Sequence, residues 1–88
     1  MRLEYGARME IKYTPHAVER MIQRKISPQE VELLLSTPDG TIKQSMDKFI
    51  YYKKIKGRKD NALAAVTVEI RNNRYEVITV IVNFEVTK

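Results

Sequence analysis

Apolar and polar residues alternate through Met9-Glu10-Ile11-Lys12-Tyr13, which predicts a short first strand. From about Pro15 to Lys25 the spacing becomes helical. Val18, Met21, Ile22 and Ala17 fall on one side, and Ile26 closes it. A second helix begins at Ser27-Pro28-Gln29-Glu30, a capping box with proline at the first helical position. Its Val31, Leu34 and Leu35 form an i, i+3, i+4 stripe, and the turn residues Thr37-Pro38-Asp39-Gly40 stop it.

From Thr41 onward the period is two. Strands are expected at Thr41–Ser45, Lys48–Ile55, Leu63–Arg71 and Arg74–Asn83, with Lys56-Gly57-Arg58-Lys59-Asp60-Asn61 as a loop. Asn72-Asn73 reads as a tight turn, because asparagine tolerates the positive φ that two-residue hairpins demand. Such a turn pairs Ala64, Val66, Val68 and Ile70 with Ile81, Thr79, Val77 and Tyr75, on the face expected to lie under the helices. Thr67, Glu69 and Arg71, opposite Ile78, Glu76 and Arg74, then form a half-solvated face. The expected fold is α+β: two N-terminal helices on one face of a three- to four-stranded antiparallel sheet, with room for an extra short N-terminal strand. Residues 1–88 read as one domain, with 1–8 a loosely held leader and Met9 an alternative start.

Composition narrows the function classes. An apolar fraction of 43% and a charged fraction of 31% describe a globular chain. At 88 residues it should bury only about 60–65% of its unfolded surface. With no cysteine there is neither a disulfide framework nor a thiolate site, and one histidine cannot build a histidine-rich metal site. No cofactor is expected. The aliphatic run Val77–Val82 is far too short to cross a bilayer, and the opening Met1-Arg2-Leu3-Glu4-Tyr5 lacks a signal core. The expected setting is the cytoplasm, with no membrane partner.

Charge adds a partner class. Sixteen basic against eleven acidic residues give a formal charge of +5. Lys53, Lys54, Lys56, Arg58 and Lys59 fall within seven consecutive residues, with Tyr51 and Tyr52 just before them. Cations beside aromatic rings suit phosphate contact and base stacking, so Tyr52 and these five residues are candidate RNA-binding positions. The same segment also reads as a hairpin tip kept soluble by its charge.

Candidate chemistry gathers on the first helix. Thr14 can cap it, Pro15 suits its first position, and His16, the sole histidine, follows beside unpaired backbone N–H groups. Arg20 and Arg24, at i+4 and i+8, share its edge. The helix dipole and the cations attract phosphate there. RNA cleavage by the strand's own 2′-hydroxyl needs a proton acceptor and cations for the charge on phosphorus. His16 fits the first role, Arg20 and Arg24 the second, and a lysine of 53–59 or Tyr52 can complete the clamp. The structural alternative has His16 hydrogen-bonding the sheet and Arg20 paired with Glu19 or Glu30.

The pattern His16-Ala17-x-x-Arg20-Met21-x-x-Arg24-x-Ile26-Ser27-x-x-Glu30-Val31, with Ile78-Thr79-Val80 near the end, resembles the domain-of-unknown-function 4258 family from about Tyr13 to Ile81. That family is distantly similar to RelE/ParE-type toxins and other small ribonucleases with helices on an antiparallel sheet. The resemblance implies a RelE-like two-layer sandwich, with His16 and Arg20 as catalytic positions and Thr79 as a further one. It also implies a toxin-like ribonuclease whose partners are RNA and an acidic antitoxin-like protein. By its residue type alone, Thr79 is equally a strand former whose hydroxyl satisfies a local carbonyl. A non-catalytic RNA- or protein-binding module of the same fold stands as the alternative function. RNA target and oligomeric state are open.

Overall fold

Both helices begin where a hydroxyl side chain precedes a proline. The computed structural model describes residues 10–59, 61–71 and 74–85. In chain order these form β1 (Glu10–Tyr13), α1 (Pro15–Arg24), α2 (Pro28–Ser36), β2 (Gly40–Lys43), β3 (Lys48–Lys53), β4 (Ala62–Arg71) and β5 (Arg74–Phe84). The leader at 1–8, Met9 and the Asn72-Asn73 turn lie outside the described residues.

Thr14 accepts a hydrogen bond from the Ala17 N–H through its side chain and so caps α1. At the other end, Lys25 takes a left-handed conformation with φ 57°. The Lys25 N–H donates to Ile22 O and the Ile26 N–H to Met21 O, the paired bonds of a Schellman turn. Ser27 and Glu30 form the expected reciprocal capping box at the start of α2.

Among the described residues the sheet has five strands in the order β1-β5-β4-β3-β2. Three neighbouring pairs are antiparallel, but β1 runs parallel to β5, matching Glu10 with Arg74 and Tyr13 with Val77. Four antiparallel strands, β2 to β5, and an extra short N-terminal strand, β1, are as expected. The expectation of a wholly antiparallel sheet is corrected to a mixed one, because β1 is parallel. The parallel pair arises because β1 is joined to β5 through the whole domain rather than a hairpin, so no turn dictates its direction.

Helices on one face and sheet beneath enclose one core. Ala17, Met21, Ile26, Val31, Leu34 and Leu35 pack with Ile55, Leu63, Ala65, Val77 and Val80. The α2 stripe of Val31, Leu34 and Leu35 is buried as expected. The α1 expectation needs correction: Ala17 and Met21 are buried, whereas Val18 and Ile22 are exposed, Ile22 by 73%. Val18 and Ile22 instead border an apolar groove with Tyr13, Met21, Ile26 and Pro28.

The face assignment of β4 is also corrected. Leu63, Ala65 and Thr67 share the helix side, while Ala64 is buried on the opposite face. Between Val66 and Thr67 the register slips, Val66 facing Thr79 and Thr67 facing Val77, so Ile78 is an extra residue on β5. This bulge inverts the alternation of β5. Val77 and Tyr75 lie under the helices as expected, but beyond Ile78 that position passes to Val80 and Val82. Side chains 70 and 71 lie outside the description. On the far face, the Tyr52 and Phe84 rings meet at 5.6 Å, and Tyr52 lies over Gly40, where a Cβ would collide with its hydroxyl.

Candidate functional site

Thr14 fixes the approach of α1 to the sheet. Its backbone N–H donates to Val77 O at 3.1 Å and its hydroxyl to Ile78 O at 2.8 Å. Beyond this point the chain leaves the strand layer as α1, and β1 accompanies β5 only from Arg74 to Val77. The rest of that side of β5 has no neighbouring strand among the described residues.

A groove of about 190 Å³ opens there, lined by Arg20, Arg24, Thr79, Val80, Ile81 and Val82. Side chains of a strand alternate between its faces. Four consecutive residues lining one groove therefore mark the backbone edge of β5, with α1 as the opposite wall. Neither the Arg20 nor the Arg24 side chain makes an ion pair or hydrogen bond among the described residues. The structure thus brings three of the four candidate catalytic residues together: Arg20, Arg24 and Thr79.

His16 stands apart from them. It is exposed on the first turn of α1 and does not line the groove. Helix geometry sets it about 6 Å along the axis from Arg20 and about 12 Å from Arg24. The contacts of the structural alternative belong to other residues. Thr14, not His16, hydrogen-bonds the sheet, and Glu30 pairs with Arg58 rather than Arg20.

The basic segment divides. Arg58 Nη1 lies 3.1 Å from Glu30 Oε2 and also donates to Lys25 O, while Nη2 donates to Arg24 O. One guanidinium therefore serves the C-terminal carbonyls of α1 and the capping glutamate of α2 together. Burial acts to raise the Glu30 pKa. The Ser27 N–H and the Arg58 guanidinium outweigh it and hold the carboxyl below its ordinary value. Lys53 Nζ sits 3.6 Å from Asp39, whose other oxygen accepts the Lys54 N–H. That N–H, aided by Lys53, keeps the exposed Asp39 carboxyl below its usual range. The side chains of Lys54, Lys56 and Lys59 are exposed. Tyr52 lies on the sheet face away from the helices, and Tyr51 on the helix side, where burial pushes its hydroxyl upward.

With this geometry in view, the sequence profile of the family described as Domain of unknown function (DUF4258) matches residues 13–82. The chain belongs to that family. Its matched span starts at Tyr13, beside the cap of α1, and ends at Val82, the last residue lining the groove, so both walls fall inside it. Comparison with curated proteins and with solved structures finds no match.

Sequence reasoning missed the part played by Val80, Ile81 and Val82. Their apolar types read as core strand, and only the four-residue length of β1 against the eleven of β5 shows that an edge is left uncovered. No helix among the described residues is long and apolar enough to cross a membrane.

Proposed function

We propose that this protein is a small cytoplasmic ribonuclease of toxin-like kind, acting on RNA whose phosphates lie across Arg20 and Arg24. The observation that carries the reading is the pair of guanidinium groups, neither engaged among the described residues, on one groove with the Thr79 hydroxyl. Helices on one face of a mostly antiparallel sheet fit a RelE-like sandwich, and the exposed Lys54, Lys56 and Lys59 extend the cationic surface.

In this reading His16 accepts the proton of a 2′-hydroxyl as that oxygen attacks phosphorus. The bond from phosphorus to the 5′-oxygen breaks, the departing oxygen takes a proton from water, and a 2′,3′-cyclic phosphate remains. Arg20 and Arg24 stabilise the charge that builds on the phosphoryl oxygens. His16 and the arginines supply the base and the cations, so the step calls for no metal.

A second reading is favoured by one observation: His16 lies outside the groove. In that case the same surface binds RNA or a protein without cleaving.

Salt dependence of affinity for a single-stranded RNA tests the shared premise. Each phosphate contact contributes about −0.7 to the slope of log K against log salt. Arg20→Ala with Arg24→Ala should flatten the slope by about 1.4, and replacing Lys54, Lys56 and Lys59 by about 2 if all contact phosphate. An unchanged slope in both variants contradicts an RNA surface here.

A further inference from the structure

The groove has a feature that phosphate binding leaves unused. Along Thr79–Val82 alternate residues direct both N–H and C=O away from β4, with no strand to receive them among the described residues. No loop or capping bond of the described backbone ends on those four residues. The other two outer edges are short, and both carry charge. The free side of β1 runs for four residues including Glu10 and Lys12, and that of β2 for four ending at Lys43. Both follow the usual means of discouraging a further strand. Thr79-Val80-Ile81-Val82 has no charge, proline or glycine.

We infer that the open edge of β5 is the docking site for an extended acidic segment of a partner protein, which adds as a sixth strand beside Thr79–Val82. An alternating row of donors and acceptors is matched by another peptide backbone, whereas a phosphate chain offers acceptors alone. Arg20 and Arg24 wall the helix side of the added strand, so side chains turned that way are carboxylates. Side chains turned to the other face lie beside Ile81, itself 37% exposed, and are apolar. The segment therefore alternates acidic and apolar residues. A second copy of this chain is a poor occupant, because two such edges would bring four arginines together within chains of formal charge +5. Occupancy hides Arg20 and Arg24, so the partner silences whatever those residues do.

The probe is a library of random ten-residue peptides displayed and selected on the full chain. Selected sequences should alternate acidic and apolar residues, and the best one, synthesised, should slow amide exchange within Thr79–Asn83. Methylating its backbone nitrogens should abolish binding, and Arg20→Ala with Arg24→Ala should weaken it about tenfold or more. Selection on a folded Arg20→Glu, Arg24→Glu protein should return basic alternating peptides instead. Failure to recover any binder, recovery without the alternation, or protection confined to other strands overturns the inference. Each readout is a peptide's, so its failure is separate from failure of the RNA reading.

Discussion

The Thr14 hydroxyl donates to the Ile78 carbonyl at 2.8 Å, joining positions 64 apart, while its oxygen also receives the Ala17 N–H. One side chain thus starts α1 and fastens it to β5 at the bulge, where the open edge begins. Loss of a helix cap costs about 0.5–2 kcal/mol. Thr14→Ala should therefore destabilise by about 1–2 kcal/mol in denaturant unfolding, while Thr14→Ser keeps most of the stability. Equal stability of all three proteins would show that the bracket is idle.

Arg58 and Glu30 give a prediction in pH. The Glu30 carboxyl is held below its ordinary value of 4.5 in the folded chain. Its stabilisation is accordingly complete above the unfolded value and is lost as pH falls through the lower, folded one. Unfolding experiments from pH 7 downward should show wild type losing this contribution below about pH 4.5, and Glu30→Gln showing a shallower decline there. Arg58→Ala should cost about 1–3 kcal/mol at pH 7, because its partners include a carboxylate and two helix-end carbonyls. Identical pH profiles of wild type and Glu30→Gln would contradict this.

Thr67 marks a local weakness. It is fully buried, and its hydroxyl has no hydrogen-bond partner among the described residues. Leaving such a group unsatisfied costs about 1–3 kcal/mol, and valine has nearly the same shape. Thr67→Val should therefore stabilise the protein by about 1 kcal/mol or more, read as a higher denaturation midpoint with an unchanged slope. Destabilisation would mean that the hydroxyl is satisfied in solution.

What the sequence discloses depends on whether the signal is local. The capping box Ser27–Glu30 and the stripe of Val31, Leu34 and Leu35 follow from neighbours within two helical turns. The faces of β4 do not, because Leu63, Ala64, Ala65 and Val66 are apolar in succession and period two has no contrast to read. The inversion at Ile78 is set by pairing with β4. At the site, the i+4 spacing puts His16, Arg20 and Arg24 on one helix edge, of which only the two arginines line the groove. Thr79 enters the candidate set through the family resemblance rather than through that spacing. The internal use of Arg58 depends on helix ends 28 to 34 positions away, so a charge run resembles a binding patch in sequence whatever its contacts. The parallel pairing of β1, and the open edge it leaves, are likewise set by topology alone.

The most direct test of the proposed chemistry is the rate of RNA cleavage by purified protein in a metal chelator, at saturating RNA, for wild type and His16→Ala. His16 is exposed, so alanine there opens no core cavity and both proteins should fold alike. Wild type should leave 2′,3′-cyclic phosphate ends, and His16→Ala should be slower by about 10²–10⁴-fold with little change in RNA affinity. Equal rates in the two folded proteins, or tight binding by wild type with no cleavage across several RNAs, would contradict the account.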